Sequence, residues 1–144
     1  MVKFLVDAKA DLEKARDARG RRPLFRAVSR YDGNVVCALI AGRADVNAVT
    51  EDGTTPLFAA VESGDLRVVK VLLDAGADIE KARKDGTAPL LRACELQLKS
   101  TVCLLIEQRA VVDRRRAWDG QTAISRSSAS GYSEIVSILA GVQA

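Results

Sequence analysis

Glycine returns in this chain at a fixed interval. Gly20-Arg21-Arg22-Pro23-Leu24 is echoed by Gly53-Thr54-Thr55-Pro56-Leu57, by Gly86-Thr87-Ala88-Pro89-Leu90 and, more faintly, by Gly120-Gln121-Thr122-Ala123-Ile124. The steps are 33, 33 and 34 residues. A period of this length marks a solenoid, in which each short unit buries its apolar face only by stacking on its neighbours. The echo constrains the fold tightly and leaves little room for most chemistry, but it does not identify a partner.

The remaining composition agrees with thin helical layers. Of 144 residues, 48% are hydrophobic but only 4% aromatic, so the core must be aliphatic and alanine-rich. A net charge of +3 is too mild a bias to point to a partner by itself. Cys37 and Cys103 lie two repeats apart, which stacking at about 8–10 Å per layer converts to about 20 Å. A disulfide needs α-carbons within about 7 Å. Cys37, Cys94 and Cys103 are therefore expected to be free thiols in a reducing, cytoplasmic setting. Phe4-Leu5-Val6, followed by Asp7, is too short an apolar stretch for a signal peptide. No apolar run approaches the roughly 20 residues of a membrane span.

Residues 53–85 give the clearest unit. Gly53 sits in a turn where positive φ is needed. Thr55 is suited to cap a helix and Pro56 to open it, which predicts a first helix over 56–63 ending at Gly64. Leu66, Val68, Val69, Val71, Leu72 and Leu73 predict a second helix over 66–74 with a broad apolar stripe, ended by Gly76. Ala77-Asp78-Ile79 then leads through an extended finger to the next turn at Asp85-Gly86.

Thr55-Pro56-Leu57-Phe58-Ala59-Ala60, Gly64-Asp65-Leu66, Val68-Val69-Lys70-Val71-Leu72-Leu73 and Ala75-Gly76-Ala77-Asp78 together resemble the ankyrin repeat. The resemblance covers nearly the whole chain. It implies an all-α ankyrin-repeat solenoid of stacked helix-turn-helix units joined by β-turn fingers. A single domain over 1–144 is expected, with a partial repeat at 1–19, repeats at 20–52, 53–85 and 86–119, and a capping repeat at 120–144. The repeat at Gly86 carries one extra finger residue within Asp113–Trp118, and the first finger, Glu13–Arg19, is also one residue long.

The departures from the family pattern are informative. The motif histidine is replaced by Phe25, Phe58, Leu91 and Ser125, so apolar packing must substitute for its hydrogen bonds, and modest stability is expected. The capping threonine is lost to Arg22 and Ala88, each at a cost of about 1 kcal/mol. The glycine between the helices survives as Gly64 and Gly131 but is Tyr31 and Gln97 elsewhere. Ser125, Ser127, Ser128, Ser130, Ser133 and Ser137 soften the last repeat into a cap. Val2, Phe4, Leu5 and Val6 instead leave an apolar half-unit, expected to be an edge for self-association or a continuation of a longer array.

With no histidine, no Cys-x-x-Cys pair and no glycine-rich phosphate loop, no catalytic residue, cofactor or metal is expected, and the chain is read as a non-enzyme. Cys94 replaces Val28 and Val61 of other repeats and belongs to the core, whereas Cys37 and Cys103 align with Lys70 on the solvent side. Asn47 resembles the asparagine that hydroxylases modify in some animal ankyrin repeats, or it stabilises its loop.

The resemblance implies that the third position after the motif proline faces a concave groove. There stand Arg26, Ala59, Arg92 and Arg126. The fingers add Arg16, Arg19, Arg21, Arg22, Arg83, Lys84, Arg114, Arg115 and Arg116. Two readings remain open: a basic groove gripping an acidic or phosphorylated ligand, or a solvated face whose cations pair internally with Glu51, Asp52, Glu62, Glu95 and Asp119. Trp118, the only tryptophan, is either a binding anchor or a ring folded back on its finger. The function implied is protein–protein recognition through Arg19, Arg21, Arg26, Thr54, Glu62, Arg83, Lys84, Arg92, Glu95, Trp118 and Arg126. The alternatives are a structural piece of a longer scaffold and a basic groove for a polyanion. The modest charge and the lack of an aromatic platform argue against nucleic acid.

Overall fold

The computed structural model describes residues 16–143. The half-unit with Val2, Phe4, Leu5 and Val6, and the start of the first finger, lie outside the described residues. Among those described there are eight helices and no strands: α1 (Pro23–Ser29), α2 (Gly33–Ala41), α3 (Pro56–Ser63), α4 (Leu66–Asp74), α5 (Pro89–Glu95), α6 (Lys99–Glu107), α7 (Ala123–Ala129) and α8 (Ser133–Gln143). The helices α3 and α4 have the bounds predicted from their caps and periodicity. The chain divides into two compact units, Met1–Asp78 and Ile79–Ala144.

Each unit is built the same way. In the first, α1 packs on α2 and α3 on α4 as hairpins, while α1 lies against α3 and α2 against α4. In the second, α5 pairs with α6 and α7 with α8, while α5 lies against α7 and α6 against α8. First helices thus stack on first helices and second helices on second helices. The residues buried follow from this sandwiching. Pro56 through Val61 are all buried on α3, whereas α4 buries only Val68, Val69 and Leu72. The stripe on α4 is narrower than its sequence suggested, with Leu66 exposed. Phe58, standing where the motif histidine is missing, is fully enclosed, and burial of such a ring is worth about 1.5–3 kcal/mol. Leu91 is also buried, but Ser125 is exposed and turns instead to a capping box with Thr122. Of the serines in the last repeat, Ser127 departs from a polar surface role and lies in the core.

The 33-residue period is visible in the backbone. The N–H of Asp17, Thr50 and Arg83 donates to the carbonyl of Arg21, Thr54 and Thr87 at 3.1, 3.0 and 3.1 Å. Gly20, Gly53 and Gly86 each close the turn by donating back to the first residue, at φ of 71°, 82° and 80°. At Gly86 a side chain would also meet the backbone nitrogen of Ala117 at 2.9 Å. In the fourth finger Arg116 donates to Gln121 and Gly120 donates to Arg116. The stem is unchanged and the turn is one residue wider, so the extra residue falls among Ala117, Trp118 and Asp119 at the fingertip.

A second recurrent device joins successive repeats within each unit. The Asn47 side chain accepts from the Asp78 N–H at 2.7 Å and donates to the Gly76 carbonyl at 3.3 Å. Thirty-three positions on, the Glu80 side chain accepts from the Val111 N–H at 2.7 Å and is reinforced by Arg114 at 3.1 Å. Asn47 is therefore a staple between repeats.

Where the motif glycine between helices is lost, its conformation is retained. Tyr31 and Gln97 hold φ of 59° and 57°, beside 74° at both Gly64 and Gly131. The four residues also make the same bond back to the first helix, at 3.1, 3.1, 3.0 and 3.1 Å. A left-handed non-glycine residue costs about 1–2 kcal/mol. Thr55 and Thr122 cap their helices through their hydroxyls, whereas Ala88, with the same extended backbone, cannot. Replacement of Gln97 by glycine is thus expected to raise stability by about 1 kcal/mol in urea unfolding. Ala88→Thr is expected to gain about 1 kcal/mol by the same measurement. Unchanged midpoints would contradict these accounts of strain and capping.

Candidate functional site

The second unit brings three sequence-derived site residues together, Arg92 and Arg126 around the Glu95 carboxylate. Arg92 and Glu95 lie on α5, three residues apart, and the Arg92 guanidinium donates to Glu95 Oε2 at 3.2 Å. Arg126, in the equivalent position on α7, brings its Nε to 3.6 Å from Glu95 Oε1. Because α5 and α7 pack side by side, one carboxylate serves two arginines of successive repeats.

The third cation, Arg116, is one of the finger cations named from the sequence but not one of the residues expected there to bind a partner. It is only 8% exposed, reaches Glu95 Oε1 at 3.4 Å and forms a two-pronged ion pair with Asp119. Its guanidinium also lies over the Trp118 ring, 4.5 Å from the centroid, as a cation–π contact. Two signals in the sequence could have exposed it. Arg116 occupies the finger-stem position of Arg83, and Asp119 follows three residues later, on the far side of the widened turn.

Trp118 itself is 69% exposed. The ring leans on its own finger through Arg116, yet most of its surface faces water. The Arg116 guanidinium, bonding the Asp119 carboxylate, holds that carboxyl below the usual range against the opposing effect of desolvation, and the Gln121 N–H assists. The same bonds with Asp119 raise Arg116 further above its already high value. At Asp85 burial acts to raise the carboxyl, but the Thr87 N–H and hydroxyl and the charges of Arg83 and Arg116 outweigh it and leave a net lowering.

The other residues singled out are distributed differently. Arg19 is exposed and donates its N–H to Asp17, while Arg21, half-buried, donates its Nε to the same carboxylate at 2.7 Å. Arg26 is exposed on α1, and Glu62 is exposed near the end of α3. These belong to the first unit. Thr54 is buried, its hydroxyl donating to Asp52 at 2.9 Å inside the finger turn. Arg83 is half-buried in a finger stem and Lys84 is exposed beside it. Arg22 pairs with Asp45 at 3.5 Å and Arg114 with Glu80, so part of the cationic finger surface is neutralised internally.

Cys94 is buried, and burial pushes its thiol up to about 12 despite the Ser127 hydroxyl beside it. Cys37 is exposed, whereas Cys103 is half-buried rather than open to solvent, and all three thiols are free. Among the described residues no three side chains of histidine, cysteine, aspartate or glutamate are placed to hold a metal ion. No helix among them is long and apolar enough to cross a membrane.

A family model for ankyrin repeats, in three copies, matches residues 1–83. No curated protein matches the chain significantly. The match covers more than half of the 144 residues and agrees with the paired helices, the finger turns closed by glycine and the Thr-Pro helix start at Thr55-Pro56. The chain belongs to the ankyrin-repeat family.

Proposed function

We propose that this chain is a recognition module whose second unit engages an acidic segment of a protein partner, with Trp118 as its anchor. Ankyrin repeats generally act as protein–protein interaction modules and are typically non-catalytic. The observation carrying the finer reading is that Trp118 is mostly in water yet fixed from beneath by the buried Arg116. A large aromatic group presented in a fixed orientation loses little freedom on binding, which is what an interface anchor requires. The exposed Lys84 and the half-exposed Arg92 and Arg126 supply positive charge in the same unit.

The remaining residues enter in graded roles. Arg19, Arg21, Arg26 and Glu62 are proposed contacts of the first unit, Glu95 holds neighbouring cations, and Arg83 contributes through its finger stem. Thr54 stiffens a finger and contributes through its shape. The repeat boundaries at 20, 53, 86 and 120, and a cytoplasmic setting suited to three free thiols, are parts of the same proposal.

Affinity capture from the native source should recover a partner that Trp118→Ala and Arg92→Glu each release. Unchanged recovery with both variants would remove the second unit from the interface. The platform has its own test. Arg116→Met should free the Trp118 ring, lowering its fluorescence anisotropy, and reduce stability by about 2 kcal/mol through loss of charged hydrogen bonds. The folded-state value of Asp119 lies below its unfolded value, so its contribution is present above the unfolded pKa and is lost as pH falls through the folded one. Asp119→Asn should therefore flatten the acid limb of a plot of melting temperature against pH. An unaltered limb would show that this ion pair does not contribute to it.

A further inference from the structure

We infer that Gly86 is a positioning residue for Trp118: the tip of the third finger is a backbone seat for the fourth, and the two tips present the ring as one surface. The inference rests on the reading of Trp118 as an anchor and names what aims it.

The seat is a contact between main chains. Gly86 holds φ of 80°, and a Cβ added there would stand 2.9 Å from the Ala117 backbone nitrogen, 3.2 Å from the Ala117 Cβ and 3.5 Å from Arg116 Cγ. Non-bonded carbon atoms settle about 3.5–4.0 Å apart, so no side chain at position 86 fits between the two tips. The nearest obstacle is backbone, which cannot swing aside as the end of a side chain can. Gly20 offers the comparison in the first unit. A Cβ there would meet only Glu51 Cγ, at 3.6 Å, an ordinary contact. Glu51 follows the stem residue Thr50 as Ala117 follows Arg116. Equivalent tips thus meet through a side chain in the first unit and through backbone in the second, where the methyl of Ala117 leaves room for the approach.

Trp118 follows the seated residue directly. On the other side of Ala117, Arg116 is fixed by its N–H to the Gln121 carbonyl at 2.8 Å and by its guanidinium to Asp119 and Glu95. Asp85, beside Gly86, lies in the field of the same guanidinium. The fourth tip needs such support. Its closing bond, from Gly120 to Arg116, spans four residues, whereas those from Gly20, Gly53 and Gly86 span three. With Arg116 and Ala117 both held, the ring keeps only its own torsions, and the guanidinium 4.5 Å from its centroid restrains those. A partner that covers Trp118 therefore also meets the third tip, where Lys84 and Asp85 are exposed.

Because Trp118 is the only tryptophan, its fluorescence reports on this tip alone. In Gly86→Ala the anisotropy of that fluorescence should fall, and so should the order parameter of the indole N–H in the isotope-labelled full chain. Gly86→Asn should free the ring in the same way, since asparagine tolerates a left-handed φ but brings the same Cβ. Gly120→Ala is the contrasting variant. Gly120 lies in the same tip as Trp118 at φ of 65°, yet an added Cβ would meet nothing within 4 Å. That variant should lower the urea midpoint and leave the ring as ordered as in the wild type. Should the Gly86 variants fold poorly, the wild-type chain still decides, through a cross-peak expected between a Gly86 Hα and the Ala117 amide proton.

Gly86 variants whose ring stays as ordered as in the wild type would overturn the inference. So would an equal loosening in Gly120→Ala, which would trace the effect to strain anywhere in the tip, or the absence of the cross-peak. Trp118-dependent partner capture would still stand in those cases. Loss of that dependence with the seat intact would instead condemn the anchor reading alone.

Discussion

None of the described helices exceeds eleven residues, and isolated helices of that length are marginal in water. Their stability has to come from side-by-side packing, first helix on first helix and second on second, and the other features serve that packing. The fingers set the spacing. Glycines of positive φ fold each finger back on its own stem, so that the next proline starts its helix in register with the last. Small residues such as Ala59 and Ala60, fully enclosed on α3, allow the close approach that bulkier side chains would prevent.

The electrostatics of the second unit follow from the same packing. Stacking places equivalent positions of successive helices together, so like residues at those positions become like charges in contact. Arg92 and Arg126 would repel one another without a counter-ion. Glu95 provides it from the same helix as Arg92, one turn on, and Arg116 ties the arrangement to the fingertip. Internal pairing reaches every member of this network, and Arg92 and Arg126 pair with Glu95 while remaining half in water.

Much of this is legible in the sequence. The glycine echo, the Thr55-Pro56 helix start and the apolar spacing from Val68 to Leu72 each dictate backbone geometry by local chemistry, and the helices α3 and α4 follow them. Side-chain fate depends on neighbours distant in sequence and was less readable. Thr54 stands among the residues expected to bind a partner, yet its hydroxyl is committed to Asp52 within the turn. Ser127 was grouped with a polar cap but fills a core position facing α5. Arg116 was counted among many finger cations, since nothing local distinguishes an arginine that inserts beneath a tryptophan from one that extends into water. The left-handed backbone at Tyr31 and Gln97 shows the converse: stacking can impose a conformation that the residue itself disfavours.

The widened fourth finger separates two demands usually in conflict. Its stem keeps the backbone bond of the other three, from Arg116 to Gln121, while the tip takes an added residue without passing the change on to α7. Length at the tip is thus decoupled from register in the stack. A lineage carrying such fingers could vary its outermost residues by insertion as well as by substitution, leaving the helical layers unselected by those changes. The same property makes the span from Ala117 to Asp119 a natural graft point, where a foreign loop could be carried on a frame that has already tolerated one residue more.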